Sequence, residues 1–379
     1  MGKDTKIEWA DHTFNCWRGC SKVSEACRNC YAETQAKRNP GVLGVWGDNG
    51  TRVVASEATW KEPLKWDREA KAAGVRRRVF CASMADVFED WRKEMLSSNG
   101  NPLWWCGGSL SNSPVPKGGF PEGIECRWAT MQDVRRRLFS LIDATPNLDW
   151  MLLTKRPEDV AAMMPVCNRC DGDGKAHGSD RPFEWSGPGT YPGPCPVCKG
   201  LPRHNVWLGT TVENQQAADE RIPHLLRVPA VVRFLSCEPL LGPINLVPHR
   251  NADGEVVISQ GIDVDWVIAG GESGPHARPS HPDWFRSLRD QCQAAGVPFH
   301  FKQWGSWEPV TPLYNGRDDT LEDGTEIIMQ RDGLWNERDG QPTDSRAWLM
   351  RRVGKSSAGR MLDGRTWDEV PSLTFAPDA

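Results

Sequence analysis

The sequence predicts an α/β chain built on a full or partial (β/α) barrel with a small zinc-binding insertion. Three observations predict it. Short β-rich segments recur, and each ends in a compact polar or glycine-bearing motif. Helical stretches lie between several of them, which implies parallel strands joined by right-handed crossovers. Two tight cysteine groups stand apart from this apolar pattern.

The strand segments are taken in order. Residues 78–82 run into Ser83-Met84-Ala85-Asp86, and 150–153 into Thr154-Lys155-Arg156-Pro157. Residues 206–208 lead to Gly209-Thr210-Thr211-Val212-Glu213-Asn214, and 231–235 to Ser236-Cys237-Glu238-Pro239. Residues 265–269 lead to Gly270-Gly271-Glu272-Ser273-Gly274, and 298–301 to Lys302-Gln303-Trp304-Gly305. Between them, 131–144 carries Met131, Val134, Leu138, Leu141 and Ile142 at helical spacing. Residues 282–295 carry Trp284, Phe285, Leu288 and Cys292, with Asp283 in the first turn and Gly296 past the end. Six strands that each end in a polar motif fit a barrel mouth. A doubly wound sheet would gather its ligands at one switch point instead.

Three regions interrupt the pattern. Residues 97–124 are rich in Gly, Pro, Ser and Asn and read as a long loop; 167–202 form a Gly/Pro/Cys-rich insertion; 314–379 form a polar tail. The expected division is a first barrel part over 1–166, the insertion over 167–202, a second barrel part over 203–313 and an extension over 314–379.

The net charge of −4 gives no bulk attraction to nucleic acid, although a local basic groove is compatible with it. No apolar run is long enough to span a bilayer, and the charged N-terminus lacks a signal-peptide core. A cytoplasmic protein is expected, with reduced thiols, so that clustered cysteines read as metal ligands rather than disulfides.

In the first cysteine group, Cys20, Cys27 and Cys30 are separated by six and then two residues, just before a helical stretch at 31–37. Soft thiolates select iron–sulfur clusters, zinc or Cu(I). Three ligands on a four-iron cluster leave one iron open. With Cys16 as a fourth ligand, the same group would close an all-cysteine zinc site.

The chain carries Ile7-Glu8-Trp9, Gly19-Cys20 through Cys30-Tyr31-Ala32-Glu33, Thr154-Lys155-Arg156-Pro157, Ser236–Gly242, Gly270–Gly274 and Phe299–Gly305. In these it resembles a family of bacteriophage and prophage proteins with a three-cysteine motif. That family is regarded as radical S-adenosylmethionine (radical SAM)-like, with distant similarity to spore photoproduct lyase, which acts on thymine in DNA. The resemblance covers most of residues 5–308, although the usual radical SAM spacing is three residues and then two. In the family, position 16 is usually proline, which sets Cys16 aside as a required ligand.

The resemblance implies a [4Fe-4S] cluster on Cys20, Cys27 and Cys30 that cleaves S-adenosylmethionine to a 5′-deoxyadenosyl radical. It implies a reductant such as flavodoxin or ferredoxin, the host cytoplasm as the setting, and a substrate such as a modified pyrimidine in phage DNA, altered by rearrangement or lyase chemistry. Ser83, Lys155 and Thr211 look similar to cofactor-anchoring strand-end residues, and Glu213 and Glu238 can accept from a ribose or amino group. Arg156, Lys302, Gln303 and Trp304 suit a base edge and a base face. Cys237 is the candidate hydrogen-atom donor, against the alternative of a packed small residue.

The second group pairs Cys167 and Cys170 with Cys195 and Cys198, two CxxC knuckles that fit one tetrahedral zinc ion. A rival for the whole chain is a non-catalytic, zinc-stabilised factor that binds nucleic acid or protein. Arg76-Arg77-Arg78 and Arg135-Arg136-Arg137 can meet phosphate or form solvated faces. Cys81, Cys106, Cys126 and Cys292 are scattered.

Overall fold

In the computed structural model, seven parallel strands lie side by side in their chain order. They are β1 (His12–Thr13), β2 (Arg77–Cys81), β3 (Leu148–Thr154), β4 (Val206–Thr211), β5 (Val232–Cys237), β6 (Trp266–Gly270) and β7 (Phe299–Gln303). The structure describes residues 3–5, 7–111, 123–164, 203–247, 262–313, 325–333 and 346–372, with short strands at 175–176, 191–194, 249–250, 256–258 and 335–336. The strand order never reverses, so there is no switch point, and the sheet is the open, partial form of a β/α barrel. β1, two residues long, is too short to be read from sequence alternation.

Among the described residues, five of the six crossovers carry helices. α1 (Tyr31–Arg38) and α2 (Glu57–Ala73) precede β2; α3 (Met131–Asp143) precedes β3; α4 (Pro157–Met163) and α5 (Gln215–Arg227) follow β3 and β4; α6 (Pro282–Ala295) precedes β7. Their ends follow from local chemistry. Ser56 accepts from the Thr59 amide to start α2, and Gly74, at φ 64°, ends it. Thr130 and Asp133 form a capping box on α3. His281 caps α6, Pro282 opens it and Gly296 closes it at φ 69°.

The period-2 alternation of the strands divides the sheet into two faces. Val79, Trp150, Leu152, Leu208, Leu235, Val267 and Phe299 join the helices' Trp60, Trp66, Leu138, Leu225 and Phe285 in one large core. The other face packs on itself, with Phe80, Met151, Trp207, Phe234, Trp266 and Ile268 under Trp9. Trp266 stands edge-on to Trp9, Trp207 and His300, with ring centroids 6.5, 6.1 and 6.1 Å away. Much of the tryptophan excess is thus spent on the two faces of the sheet. Burial pushes His300 down to about 4, so it is neutral at pH 7.

Several sequence expectations change. Residues 97–124 are not a plain loop. They contribute Trp104–Cys106 and Ser109–Ser111 to an antiparallel ribbon completed by Cys126–Trp128. Cys106 and Cys126 face each other in that ribbon and are disulfide-bonded, against the expectation of reduced, scattered thiols. The tail is not merely polar. Trp307–Leu313, Glu326–Met329, Trp335–Asn336 and Ala347–Arg352 form a four-stranded antiparallel sheet. Beyond it, Phe301 donates to Trp367 O, and the Phe299 amide donates to the Glu369 carboxylate, so the chain covers the β7 edge. Among the described residues, no helix is long and apolar enough to cross a membrane.

Gly209 on β4 is a packing requirement, since a Cβ there would lie 2.4 Å from the Phe234 ring. Gly209→Ala should lower stability by about 1–3 kcal/mol, and Phe234→Leu in the same chain should recover part of the loss. Denaturant unfolding of the two variants checks this.

Candidate functional site: a clamped cysteine loop

The strand Trp17–Arg18 delivers the chain into the segment bearing Cys20, Cys27 and Cys30, which ends where Cys30 caps α1. Gly19, at φ 113°, makes the entry turn, and a Cβ there would meet Thr51 O at 2.3 Å. The glycine before the first cysteine is therefore a backbone requirement.

One end of the loop is tied beside β2 and β3. The Ser21 amide donates to Glu89 Oε1 at 2.9 Å, and the fully buried Arg52 grips the same carboxylate at 2.6 and 2.7 Å. Arg52 also donates to Ser21 Oγ at 2.8 Å and stacks 3.8 Å from the Trp91 ring. From the end of β3, Arg156 donates to Ser21 O at 3.0 Å and to Asp86 at 2.9 Å, with Nη1 3.9 Å from Cys20 Sγ. Asp86 in turn accepts from Thr154 Oγ1 at 2.7 Å and from the Lys155 amide at 3.0 Å. The motifs at the ends of β2 and β3 thus bind each other and the cysteine loop.

The other end of the loop is tied beside β6. Asn29 donates to Glu272 at 3.0 Å and to His276 O at 2.6 Å, while Arg278 bridges Glu272 and Glu25. Tyr31 adds a bond from its hydroxyl to Ser83 O at 2.7 Å. The cysteine loop therefore runs across the C-terminal mouth of the sheet, anchored near both sides.

Cys20, Cys27 and Cys30 are all free, partly exposed thiols. Burial, reinforced by Asp86 and Glu89 and opposed by Arg156, pushes the Cys20 thiol up to about 12. Cys30 sits at the α1 N-terminus. Among the described residues, no three His, Cys, Asp or Glu side chains converge as ligands of a single metal ion. A mononuclear tetrahedral thiolate site needs sulfurs about 3.8 Å apart, by geometry from its metal–sulfur bonds. A four-iron cube instead carries its cysteines on separate corners, and three free thiols on one loop suit it by donor chemistry. Cys16 is fully buried and hydrogen-bonds with Cys81, away from the loop. Cys167, Cys170, Cys195 and Cys198 lie outside the described residues.

The structure brings some predicted residues to the mouth and removes others. Lys302 pairs with Glu238 at 2.7 Å, and Gln303 donates to Glu238 at 3.2 Å and to Ser273 at 3.1 Å, linking the ends of β5, β6 and β7. Ser83 Oγ accepts from Asn15 at 3.0 Å. The Lys155 ammonium has no ion-pair partner among the described residues. Trp304 is buried against Phe285 and Phe301 and donates to Met361 O. Arg156 is held by Asp86 and Ser21 rather than presented outward. Cys237 is fully buried and packs in the core on the helix side of the sheet. Glu213 is consumed by a buried ion pair with Arg221 at 2.7 Å, and Thr211 is buried beside it, its carbonyl accepting from Arg221. The Gly270-Gly271 backbone approaches the Trp304 turn, not a ligand, since a Cβ on Gly271 would lie 1.9 Å from Trp304 O. Arg135 is buried and caps the carbonyls of Val87 and Glu89, so it is no phosphate contact. Arg52, Glu89, Asn15, Asn29 and Arg278 were missed by sequence reasoning. Arg52 does sit as a single charge before Val53-Val54, the one signal that could have flagged it, whereas Glu89 is lost in the charge-rich run 89–94.

The family model described as "Protein of unknown function (DUF5131)" matches residues 4–97 and 128–371, so the disulfide-bonded ribbon falls almost wholly outside it. No curated protein matches the chain. Among solved structures, a tyrosine-to-phenylalanine mutant of spore photoproduct lyase is similar, with 10% identity, a TM-score of 0.36, and 93% of this chain and 71% of that chain covered.

Glu89→Gln should cost about 3 kcal/mol or more, because it leaves Arg52 buried without its counter-charge. It should also speed alkylation of Cys20; denaturant unfolding and a thiol-reagent time course read the two effects. Burial pushes the Glu272 carboxyl up, but Arg278 and Asn29 outweigh it and hold the group below its usual value. A carboxylate lowered in the folded state stabilises above its unfolded pKa, about 4.3, and that contribution is lost as pH falls through the lower folded value. Hydrogen exchange over residues 25–30 should therefore accelerate in that acid window, and Glu272→Gln should flatten the dependence.

Proposed function

The chain belongs to the DUF5131 family, and on that premise we propose that it is a radical SAM enzyme with a [4Fe-4S] cluster on Cys20, Cys27 and Cys30. The observation that carries this reading is the loop of three free thiols clamped across the mouth of a parallel sheet. A cluster so held supplies reductive cleavage of S-adenosylmethionine to a 5′-deoxyadenosyl radical, with electrons from a flavodoxin or ferredoxin.

The chain's own residues bind and orient. Lys155, which has no ion-pair partner among the described residues, is the cation to meet a carboxylate, and Ser83, bonded to Asn15, offers a hydroxyl. Glu238, joined to Lys302, offers a carboxylate to a ribose or amino group, while Lys302 and Gln303 border the substrate space. The proposed substrate is a pyrimidine base, modified or not, of phage DNA in the host cytoplasm, altered by rearrangement or lyase chemistry. Its support is the motif resemblance and the hydrogen-bonding groups of Lys302 and Gln303 at the strand ends. Cys167, Cys170, Cys195 and Cys198 are proposed to hold one structural zinc ion, on their paired spacing.

Anaerobic reconstitution tests the reading. The protein should turn brown, bind iron and sulfide, and release 5′-deoxyadenosine when reduced with S-adenosylmethionine. Cys20→Ser, Cys27→Ser and Cys30→Ser should each abolish both signals, and Cys16→Ser should keep them. A colourless protein that binds zinc alone and forms no 5′-deoxyadenosine would sink it.

A further inference from the structure

The three thiols have three different neighbours. Cys27 meets the Ser24 hydroxyl at 4.0 Å, and Cys30 stands at the N-terminus of α1. Cys20 faces a guanidinium, with Arg156 Nη1 at 3.9 Å. That guanidinium is not free to leave. The same Nη1 is fixed by Asp86 at 2.9 Å, Nη2 by Ser21 O at 3.0 Å, and Glu89 lies 3.8 Å away. Its backbone is pinned as well, because the Arg156 amide donates to Thr154 Oγ1 at 2.9 Å and Pro157 opens α4 directly after it. Two arginines and two carboxylates meet here (Arg52, Arg156, Asp86 and Glu89), so the buried group is neutral as a whole. Within it, Arg156 is the member whose N–H reaches the sulfur.

A hydrogen bond to a cluster's cysteine sulfur stabilises the more negative, reduced state and so raises the reduction potential. The interaction is strengthened where water is excluded, and Arg156 is 8% exposed. We propose that Arg156 is a positioning residue that sets the reduction potential of the cluster through Cys20, with Asp86 and Glu89 holding its fork in place. This rests on the cluster assignment made above. It also gives Thr154-Lys155-Arg156-Pro157 a divided role: Thr154 and Pro157 build the turn, the Lys155 amide binds Asp86, and Arg156 turns back to the cysteine loop.

The test is a potentiometric titration of the reconstituted protein, followed by electron paramagnetic resonance of the reduced cluster. Three variants are compared with wild type: Arg156→Lys, Arg156→Gln, and Arg156→Gln with Asp86→Asn. The double variant removes both charges together, which protects the fold from an unpaired buried carboxylate. All three should load iron to the wild-type level. The neutral variants should need roughly tenfold more reducing conditions for half-reduction, about 59 mV for one electron, with Arg156→Lys between them and wild type. Equal midpoints in all four loaded proteins would overturn the proposal while leaving the cluster assignment intact. Failure of Arg156→Lys to load, beside a loaded wild type, would make Arg156 a folding contact and overturn it too. A wild type that takes up no cluster would instead remove the functional reading on which it rests.

Discussion

The ion pair between Arg52 and Glu89 is the contact on which the mouth of this sheet depends. Both side chains are almost wholly withdrawn from water, and the cost of that withdrawal is offset by complete use of their hydrogen-bonding groups. Arg52 spends its donors on Glu89, Ser21, Gly47 and Thr51, and its flat face on Trp91. Such a pair adds little net stability relative to an apolar replacement, but it specifies direction. Here it fixes where the loop leaves Gly19, which determines where Cys20 stands against Arg156.

The barrel character was legible because six strands announce themselves by apolar runs and polar ends. The site was legible at the level of motifs and less so at the level of roles. Polar residues at successive strand ends look alike in sequence whether they face a ligand or one another. Asp86 with Arg156, Glu213 with Arg221, and Glu272 with Arg278 turn out to be partners. Distance along the chain conceals such pairings: Asn29 and Glu272 are 243 positions apart. In sequence Gly270-Gly271 allows close backbone approach to a ligand, yet Gly271 and Gly305 interlock backbone to backbone. The ribbon around Trp104 and Trp128 escaped because its strands are three residues long and separated by turn-forming sequence.

The two faces of the sheet explain how an open, partial barrel holds together without an eighth strand. Its inner face is filled by large rings rather than by opposing strands, and Gly209 gives Phe234 the space to lie among them. At the edges, Lys3 bridges to His12 beside β1 and Asp368 bridges to His300 beside β7. An open sheet would otherwise offer unpaired backbone groups to another chain.

The two-ended clamp on the cysteine loop also imposes an order on biosynthesis. Glu89 follows Ser21 by 68 residues and Arg156 by 135, whereas Glu272 follows Asn29 by 243. At roughly 5–20 residues per second, the second anchor leaves the ribosome about 12–50 s after the loop itself. Once Glu89 and Arg156 have emerged, the nascent chain holds the loop at one end alone until Glu272 follows. Arg278 and Glu272 draw the far end shut last.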